Sequence, residues 1–505
     1  MIKGIQEKKF DFIIVGSGFG GAILAMCLNQ TGKQVLLVEK QSHPRFTVGE
    51  SSTPIADMIL RDLADRYSLP FLQHISRYGE WQRNYPDVLC GLKRGFSYYL
   101  HQKGDHFQGS REHHNECLVA ASLNDENSDT NWLRSDVDHF FIKKAQEIGV
   151  EFLDMTEVIS LDRDEKRQIW EAELKRGAEQ TTMEFSWVID ATGSPAFSNR
   201  FFGVESSSDL FKTDSEAIYS HFEEVGRWDQ WLRSKNRYTD DYPYSPDDSA
   251  LHQLIDEGWI WMLRFKTGLL SAGVVLNRKR GVLNDGNPRE FWNKILDSYP
   301  SLKELFANAT ISGVPGKILT TGRLQRRLER AWGRGWLAMN HTVGFVDPLH
   351  STGIAYTLSG IEKLMKIFEV MPDPAEVEPL LQKYETALTT ELEFIDTLVA
   401  CCYEAGSDFR LFTAAVMLYF TATVEYEQSR LKGENPSHFL CSNRPRFHEI
   451  AEETYFDLKK LGADATDRQV KNFVETVRER IRPFNSVGLM DPKKNNMYSH
   501  TAVSL

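Results

Sequence analysis

Metal-binding and disulfide patterns are missing from this sequence. The six cysteines among 505 residues include no C-x-x-C pair, so they lack the spacing of a zinc site or a redox dithiol. We interpret them as reduced thiols of a cytoplasmic protein and predict no metal site. They are Cys27, Cys90, Cys117, Cys401, Cys402 and Cys441.

A net positive charge and long apolar runs are also lacking. The formal net charge of -12 argues against a general affinity for nucleic acid or for an anionic membrane. The longest apolar run, LFTAAVMLYFTATV from Leu411, is too short to span a bilayer and predicts a buried helix. The N-terminal stretch MIKGIQEKKF lacks the apolar segment of a signal peptide. We therefore expect neither nucleic acid nor a membrane among the partners.

The beginning of the chain has the pattern of a dinucleotide-binding fold. The run FDFIIV from Phe10 to Val15 is apolar and ends at glycines, as buried parallel strands do. A helical stretch follows from about Gly20 to Thr31, and a second apolar strand, QVLLVEK, comes next. This order predicts an opening βαβ unit.

Later segments predict an interleaved α/β architecture. A helix carries Asp136 to Gln146, the strand EFSWVID runs into ATG at residues 191–193, and residues 216–276 are strand-like. Another buried strand begins at Trp336, and the chain after about Pro374 is mostly helical. The predicted fold is α/β: a Rossmann-like domain of the glutathione-reductase type, interleaved with a mixed β-sheet substrate domain and followed by helices. The predicted limits are 1–200 and 325–372 for the first domain, 201–324 for the substrate side with a contribution from 70–115, and 373–505 for a helical region covering the substrate pocket.

A glycine motif directly follows the first strand. Gly16, Gly18 and Gly21 fit G-x-G-x-x-G at the point where a helix opens. Such glycines permit a tight turn and let the backbone approach a pyrophosphate at the helix N-terminus. Glu39 closes the second strand about 20 residues further on, where an acid binds ribose hydroxyls. Together these features predict a dinucleotide site.

Three further segments favour FAD over NAD. VIDATG, with Asp190 and Gly193, resembles the second short FAD contact of flavoprotein oxidoreductases, and Arg134 before a helix matches their arginine element. GFVDPLHSTG, with Asp347 and Pro348, resembles the late loop that lies against the flavin ring. No second G-x-G-x-x-G in the right context offers a nicotinamide site, so we expect a separate flavin reductase to supply reduced FAD. Some hydroxylases bind NADPH without a separate fold, which leaves that alternative open.

A segment just after the ribose-binding acid resembles the flavin-dependent halogenases. SHPRFTVGESSTP carries the G-E-x-x-x-P element of that family at Gly49, Glu50 and Pro54. ADRYSLPFLQHI, GLKRGFSYYLH and CCYEAGSDFRLF are most similar to the monodechloroaminopyrrolnitrin 3-halogenase branch and to related enzymes of cyanobacterial peptide pathways. The resemblance runs from about Asp11 to Phe412, and it implies that Gly49 and Glu50 contact FAD.

The resemblance implies a chemistry that is divided between two sites. In this family, reduced FAD and dioxygen oxidise chloride or bromide to hypohalous acid, which crosses a tunnel to a lysine beside the organic substrate. The lysine holds it by hydrogen bonding or as a haloamine. The corresponding residue here is Lys93, within KRGFSY. Burial suits this role because it lowers the pKa of a lysine and fixes its donors. The alternative is a solvated surface lysine in the basic pair with Arg94.

The late loop carries two further predictions. By resemblance, the halide site is Ser351, Thr352 and Gly353, where backbone N–H groups converge as a helix begins. The same three residues also fit a plain helix cap. His350 stands where the tryptophan-halogenating branch has a glutamate, so it is predicted to act either as a base or as a space-filling residue.

Two tryptophans stand one residue apart in GWIWMLRF. In a strand, Trp259 and Trp261 would face the same side. Halogenases carry W-x-W-x-I-P, a pair credited with separating substrate from flavin; here Leu263 and Arg264 replace the isoleucine and proline. The pair is thus a predicted partition with an altered strand exit, or else an ordinary part of the core.

The predicted function is electrophilic halogenation of an electron-rich aromatic ring, pyrrole or phenol before indole, in secondary metabolism such as antibiotic biosynthesis. The substrate is expected to be free or tethered to a carrier protein, and the enzyme to be a monomer or homodimer. One alternative is a flavoprotein monooxygenase of the hydroxylase type, and another is an inactive flavin-binding protein. The candidate stacking residues are Phe96, Tyr98, Tyr99, Tyr403, Phe409 and Phe412.

Overall fold

The computed structural model describes most of the chain. The described residues are 8–280, 286–369, 374–406, 408–434, 436–462 and 464–502. Four of the predicted domain limits, at residues 1, 372, 373 and 505, lie outside these ranges.

Strands alternate with helices as far as Phe345, and the described residues that follow are mainly helical. The strands are β1 Phe10–Val15, β2 Val35–Val38, β3 Cys90–Lys93, β4 Gly95–Leu100, β5 Glu116–Ala120, β6 Asp129–Trp132, β7 Glu151–Leu153, β8 Thr156–Asp164, β9 Ile169–Arg176, β10 Glu179–Asp190, β11 Ser206–Ser207, β12 Ser215–Glu223, β13 Ala250–Ile255, β14 Gly258–Arg264, β15 Leu270–Asn277, β16 Thr310–Ile311, β17 Leu319–Arg323, β18 Arg326–Leu328, β19 Trp332–Gly333, β20 Trp336–Ala338, β21 Gly344–Phe345 and β22 Met497–Tyr498.

The helices concentrate in the C-terminal third. They are α1 Phe19–Gln30, α2 Pro54–Arg66, α3 Pro70–His74, α4 Tyr78–Asn84, α5 Arg134–Glu147, α6 Pro195–Phe202, α7 Trp228–Ser234, α8 Pro288–Ser298, α9 Pro300–Leu305, α10 Asn340–Val343, α11 Gly353–Glu369, α12 Pro374–Glu404, α13 Phe409–Leu431, α14 Pro445–Leu461 and α15 Asp467–Ile481.

The first sheet is the predicted dinucleotide-binding layer. Its strands run in the order β19-β20-β10-β1-β2-β7, and β1 pairs in parallel with both β2 and β10. Val15 at the end of β1 lies in register with Val38 on one side and with Asp190 on the other. β1 reads as a continuous apolar run because a parallel strand is covered on both faces. The carboxyl ends of β1, β2 and β10 therefore meet at one edge, which is where ligands bind in such sheets.

The second sheet is mixed and belongs to the substrate side of the prediction. Its order is β16-β12-β15-β14-β13-β4-β5-β22, with β17 beside β12. β4 pairs in parallel with β13, so a strand from before residue 115 sits inside a sheet otherwise built mainly from later residues. β22, near the C-terminus, pairs with β5 at the edge.

C-terminal helices cover one face of the second sheet. α13 contains the apolar run from Leu411 and is buried along most of its length, as predicted. It contacts α12, α15 and α2, which explains why apolar residues occur all round it. Tyr419 and Phe420 of α13 pack edge-on against Phe96 of β4. Across the described ranges, no helix combines the length and apolarity needed to cross a membrane.

Candidate active site

The glycine loop after β1 is shaped by two close backbone approaches. Gly16 has φ +106°, and a Cβ there would lie 2.6 Å from the carbonyl oxygen of Ala191. A Cβ on Gly21 would collide with the carbonyl oxygen of Gly16. Only glycine fits these two positions, and the tight turn leaves the first N–H groups of α1 without helical acceptors. This cradle suits the pyrophosphate of FAD.

Glu39 follows β2 and is held against the glycine loop. Its carboxylate accepts hydrogen bonds from the backbone N–H of Ser17 at 3.2 Å and from the Ser17 hydroxyl at 3.1 Å. The backbone N–H of Gln41 donates to its other oxygen at 3.1 Å. The predicted ribose-binding acid is therefore fixed beside the loop that would hold the pyrophosphate.

Two guanidinium groups flank the glycine loop. Arg134, at the start of α5, donates to the carbonyl oxygens of Val48 at 3.0 Å and Gly49 at 3.1 Å. A Cβ on Gly18 would lie 3.5 Å from the Arg134 guanidinium and 3.7 Å from that of Arg45. Arg134 also donates to both oxygens of the Asp138 carboxylate, at 2.9 and 3.0 Å, so in this structure its charge is paired with that acid.

Arg45 was missed by sequence reasoning, although a signal was available. It lies within SHPRFTVGESSTP, only four residues before Gly49. In the structure its guanidinium is 3.5 Å from the Glu39 carboxylate and 3.9 Å from that of Asp138. An arginine in the turn that follows the ribose-binding acid should have been included among the cofactor candidates.

Asp190 ends β10 with its carboxylate turned into the protein. It accepts from the Thr192 N–H at 3.0 Å, the Thr192 hydroxyl at 2.7 Å and the Ser198 hydroxyl at 2.7 Å. Burial raises the pKa of Asp190 to about 6. These bonds orient the ATG turn, in which Ala191 meets Gly16 and Gly193 adopts φ +70°. A direct contact of Asp190 or Gly193 with FAD stays a prediction.

Asp347 joins three parts of the molecule. Its carboxylate accepts from the Leu349 N–H at 3.1 Å, capping the short turn that begins at Pro348. It also accepts from the Ser215 hydroxyl of β12 at 2.6 Å and from the Tyr403 hydroxyl of α12 at 3.0 Å. Burial raises the pKa of Asp347 to about 6. The predicted cofactor loop is thereby anchored to the second sheet and to the C-terminal helices.

The predicted halide turn lies between that cap and α11. Ser351 has the left-handed conformation, with φ 51° and ψ 31°, and its N–H donates to the carbonyl of Pro348 at 2.9 Å. Thr352 accepts from the N–H of Tyr356 at 2.8 Å, and Gly353 begins the helix. The first N–H groups of α11 have no acceptor within the helix, so they can donate to a small anion.

Lys93 is fully buried at the end of β3, which excludes a solvated surface lysine. Its Nζ donates to the carbonyl oxygen of Ser52 and lies 4.1 Å from the ring centroid of Phe96. Burial lowers the pKa of Lys93 to about 8, against the opposing effects of the Asp129 and Asp57 carboxylates. An amine in this setting changes charge close to neutral pH.

The G-E-x-x-x-P segment and Lys93 are connected through β6. The N–H of Ser52 donates to the carbonyl of Thr130 at 3.0 Å, and the N–H of Trp132 donates to the carbonyl of Glu50 at 2.6 Å. On its other side β6 pairs with β3, which carries Lys93. The Glu50 side chain meets His221 Nε2 of β12 at 2.8 Å. The G-E-x-x-x-P segment is therefore linked through β6 to the strand that carries Lys93.

Trp259 and Trp261 face the same side of β14, with ring centroids 6.3 Å apart. Trp261 approaches Tyr219 at 6.0 Å, whereas Trp259 approaches His252 at 5.1 Å. Its indole N–H also donates to the Tyr403 hydroxyl at 3.2 Å. The pair forms a continuous wall of rings.

The two tryptophans contact different groups of aromatic side chains. Tyr219 stacks on Phe46, which belongs to the segment that contains Gly49 and Glu50. His252 stacks on Tyr98 at 4.7 Å, and Tyr98 is two residues from Phe96, the ring next to the Lys93 ammonium. The wall thus extends from the cofactor segment to the surroundings of Lys93. Its role as a partition remains a prediction.

Arg264 takes the place of the proline that the family normally has after this strand. Its guanidinium lies 3.3 Å from the Asp247 carboxylate and donates to the carbonyl of Gly226 at 2.7 Å. It donates at 3.3 Å to the carbonyls of Val225 and Gly268. Hydrogen bonds hold the strand exit here in place of a fixed proline φ.

His350 is buried in an apolar setting. Its ring stacks on Tyr419 at 4.4 Å with an interplanar angle of 4°, and its Nε2 is 4.0 Å from the Cys402 sulfur. Burial, reinforced by nearby His252, lowers the pKa of His350 to about 3. The imidazole is therefore neutral at ordinary pH and a weak base.

The predicted stacking residues divide between the two faces of the second sheet. Tyr98 lies with Phe412 and His252 on the face that α13 covers. Tyr99 points to the opposite face, where it contacts Phe107 and Trp228, because side chains alternate along a strand. Tyr99 therefore does not belong to the ring cluster near Lys93.

Comparison with known proteins agrees with a flavoprotein architecture. A family model described as FAD dependent oxidoreductase matches residues 11–225, which include the glycine loop, Arg134 and the ATG turn. The class of protein is an FAD-dependent oxidoreductase. A second model, described as Tryptophan halogenase, matches residues 133–410, more than half of the chain. The chain belongs to this family of flavin-dependent halogenases.

Curated relatives narrow the position within the family. Monodechloroaminopyrrolnitrin halogenase PrnC of Pseudomonas fluorescens is 26% identical over 490 residues, covering 91% of this chain and 82% of that protein. Tetracycline 7-halogenase of Kitasatospora aureofaciens is 24% identical, covering 83% and 74%. A 1H-pyrrole-2-carbonyl-[peptidyl-carrier protein] brominase of Pseudoalteromonas luteoviolacea is 24% identical, covering 70% and 75%.

Solved structures show the same fold. Halogenase PltM superposes with a TM-score of 0.83 at 22% identity, covering 97% of this chain and 99% of that one. A complex of PltM with phloroglucinol and FAD gives 0.82 at 21% identity, covering the same shares. The predicted family and branch, the α/β fold, FAD as cofactor and the assignment as a halogenase are confirmed. The hydroxylase and inactive-protein alternatives gain no support.

Proposed function

We propose that this enzyme halogenates an electron-rich aromatic ring of the pyrrole or phenol type and that Lys93 delivers the halogen. The observation that carries the proposal is the position of Lys93: it is fully buried, next to Phe96, at the far end of a ring wall that begins beside the cofactor segment. A buried lysine with its Nζ held by one carbonyl is suited to receive and aim a small oxidant.

Bound reduced FAD would activate dioxygen, and dioxygen would supply the oxidising equivalents that convert chloride or bromide into hypohalous acid. The amides at the start of α11, around Thr352 and Gly353, would hold the halide beside the flavin. Trp259 and Trp261 would keep the organic substrate away from the flavin, so that oxygen is not transferred to it directly. Hypohalous acid would then pass along the wall to the Lys93 ammonium, which holds it by hydrogen bonding.

The substrate ring would pack among the aromatic side chains under α13. Tyr98, Phe412 and Tyr419 present apolar faces near His350, and stacking of this kind favours a flat, electron-rich ring. Because His350 is neutral and stacked, we propose that it shapes this surface and does not remove the substrate's proton. The curated relatives include halogenases named for pyrrole and polycyclic phenolic substrates.

The partners follow from the same proposal. The substrate is a small aromatic molecule, either free or carried on a carrier protein, as the name of the pyrrole brominase specifies for that enzyme. A separate flavin reductase would provide reduced FAD, and both would share the cytoplasm.

Mass spectrometry of reconstituted reactions tests the proposal. Protein, FAD, a flavin reductase, NADH and chloride or bromide would be incubated with a panel of pyrroles, phenols and indoles. We expect a halogenated pyrrole or phenol from the wild type, none from Lys93→Met, and unchanged product from Lys266→Met, which alters an exposed lysine near β3. Flavin oxidation should continue in both variants.

Two results would contradict the proposal. Halogenated product from the Lys93→Met variant would show that Lys93 does not relay the oxidant. An oxygenated product in place of a halogenated one would favour the hydroxylase chemistry instead.

A further inference from the structure

An open cavity of about 870 Å³ lies against α7. It is lined by residues of that helix, by residues between 236 and 246, and by Arg111. Two more arginines, Arg233 and Arg237, are among the lining residues. The volume is that of a small-molecule binding site. Three arginines around one cavity distinguish it in a chain whose formal net charge is -12.

The cavity is on the face of the second sheet that α13 does not cover. Trp228, at the start of α7, packs edge-on against Tyr99 at 5.4 Å. Tyr244, which lines the cavity, belongs to the same apolar cluster as these two residues. The rings near Lys93 are on the other face, so the cavity is separate from the proposed halogenation site.

The end of α7 brings two of the arginines to the same place. Arg233 lies in the last turn of the helix. Beyond it, Asn236 has φ 54°, and the N–H of Arg237 donates to the carbonyl of Leu232 at 2.9 Å. A residue in the left-handed conformation at this point ends a helix and turns the chain back over its last turn. Arg237 therefore reaches the cavity that Arg233 also lines.

Hydrogen bonds hold the segment beyond Arg237 against the sheet. His113 is buried, with its Nδ1 2.6 Å from the Glu116 carboxylate and its Nε2 3.0 Å from that of Asp241. The hydroxyl of Tyr242 donates to the other oxygen of Glu116 at 2.7 Å. Because β5 carries Glu116, the wall of the cavity is fixed to the sheet, and little conformational entropy is lost when a ligand binds there.

The three guanidinium groups lack acidic partners. Within the part of the chain that the structure describes, none of them forms an ion pair, and the buried Nε of Arg237 has no acceptor. Arg111 lies over the ring of Tyr238, 5.4 Å from its centroid. Lys235, by contrast, pairs with Glu304 at 2.9 Å. A buried donor without an acceptor is destabilising, and an anion in the cavity would relieve this cost.

Two aspartates also line the cavity, and one of them is already paired. Asp229 accepts a hydrogen bond from the Ser245 hydroxyl at 2.8 Å and lies 3.3 Å from the Arg227 guanidinium. Asp240 is exposed. Three arginines against these two acids leave an excess of positive charge, which favours an anionic ligand.

The number of arginines and the size of the cavity indicate the class of anion. Guanidinium groups bind phosphate and carboxylate oxygens through paired, charge-assisted hydrogen bonds. A single carboxylate would leave some of the three cations without a partner, whereas a phosphate monoester carries up to two negative charges and three acceptor oxygens. Its organic part would fill the volume beside the tyrosines of the lining, which are Tyr238, Tyr242 and Tyr244.

We propose that this cavity binds a phosphate monoester and that Arg111, Arg233 and Arg237 hold its phosphate. A free nucleotide and the phosphopantetheine arm of a carrier protein both offer this group. Because the cavity is on the other face of the sheet from the rings near Lys93, its occupation does not depend on the proposed halogenation.

Isothermal titration calorimetry of the FAD-saturated protein tests the proposal. Saturation matters because the dinucleotide site also binds phosphate groups. The probes are AMP, phosphopantetheine, inorganic phosphate and succinate at physiological ionic strength, where weak surface attraction is screened. We expect at least one of the two esters to bind more tightly than inorganic phosphate and succinate, and the ester that binds identifies the source.

Substitutions locate the bound ester. Arg233→Gln and Arg237→Gln should each weaken its binding about tenfold, because each removes charge-assisted hydrogen bonds. Arg330→Gln, which alters an exposed arginine outside the cavity, serves as the matched control and should bind as the wild type does. Failure of both esters to bind, equal affinities for the esters and succinate, or unchanged affinity in both cavity variants would overturn the proposal.

A second measurement needs no variant. Phenylglyoxal modifies guanidinium groups, and peptide mass spectrometry gives the rate at each arginine. The bound ester should slow the modification of Arg111 and Arg233, which are exposed, and leave Arg330 unaffected. Equal rates at Arg111 and Arg233 with and without the ester would overturn the proposal, even if the glutamine variants failed to fold.

Discussion

Replacing Lys93 by methionine should make the protein more stable while removing its halogenating activity. Methionine has a similar length and no charge, so it fills the same space without requiring an ammonium to be buried. The wild type must keep this ammonium in the interior, next to Phe96 and with the Ser52 carbonyl as its hydrogen-bond acceptor. Burial removes this ammonium from water, and the resulting loss of hydration, which lowers the pKa of Lys93, also costs folding free energy.

The size of the effect follows from the pKa of Lys93. Burial lowers it from 10.5 to about 8. A shift of this size costs about 3 kcal/mol of folding free energy wherever the lysine is protonated in both the folded and the unfolded states. The cost is fully present below pH 8 and disappears between pH 8 and pH 10.5, because there the unfolded chain binds more protons.

The ionisation of Asp129 also makes the stability difference between the variant and the wild type shrink as the pH rises. With its counter-charge removed, the pKa of Asp129 rises further above its usual value, and the variant loses stability as the pH climbs beyond 6. The free energy of unfolding of the variant should therefore exceed that of the wild type by about 3 kcal/mol near pH 6. The advantage should shrink steadily as the pH rises.

Thermal and denaturant unfolding of both proteins between pH 6 and pH 10 would measure this difference. Circular dichroism at each pH would show that the two proteins have the same folded structure. A methionine variant that is less stable at pH 6, or a stability difference that does not change with pH, would refute the assignment of a buried, destabilising ammonium at this position.

Three further substitutions address the cofactor site, the wall and the strand exit. Gly16→Ala should abolish FAD binding in fluorescence titrations. Gly32→Ala should retain FAD binding, because Gly32 also has a positive φ but has open space around it. Equal affinities of the two variants for FAD would contradict the close approach of Gly16 to Ala191. Tyr403→Phe should lower the free energy of unfolding by about 1–2 kcal/mol, because it removes two hydrogen bonds. It should also lower the yield of halogenated product per flavin oxidised, and an unchanged yield would argue against the wall as a partition. Arg264→Ala should lower the free energy of unfolding by about 3 kcal/mol, because it leaves Asp247 buried and unpaired. Arg264→Lys should recover part of that loss. Equal stability of the alanine variant and the wild type would exclude a stabilising ion pair.

Local sequence signals were sufficient for the dinucleotide half of the fold. The apolar run of β1, the glycine motif and α1 occur within about twenty consecutive residues, so their pattern alone predicts their geometry. The helix around Leu411 was equally clear, because a long apolar stretch in an acidic chain has to be buried.

The environment of Lys93 had no such signal. β3 contains only the four residues CGLK, and the groups that bury its lysine come from β6 and α2, which lie some 35 residues away in each direction. The hydrogen bond from Trp259 to Tyr403 likewise connects residues that are distant along the chain. Only the family motif pointed to Lys93, and it did not reveal these partners.

The edge strand β22 shows the same limit. Met497 and Tyr498 pair with β5 almost four hundred residues earlier, and two residues have no periodicity to detect. Arg264 is a different case: the sequence showed that the family proline was missing but did not show that Asp247 compensates for it.

The carboxylate of Asp347 has a practical consequence for redesign. One oxygen of this side chain accepts hydrogen bonds from hydroxyl groups of β12 and α12. The other oxygen caps the turn that leads to α11. A chimaera that exchanges the C-terminal helices with those of a relative would therefore also alter the flavin-side loop, unless the incoming helix brings a hydroxyl to the position of Tyr403. Variant libraries aimed at new substrates should therefore leave Ser215, Asp347 and Tyr403 unchanged together and vary the aromatic side chains around them.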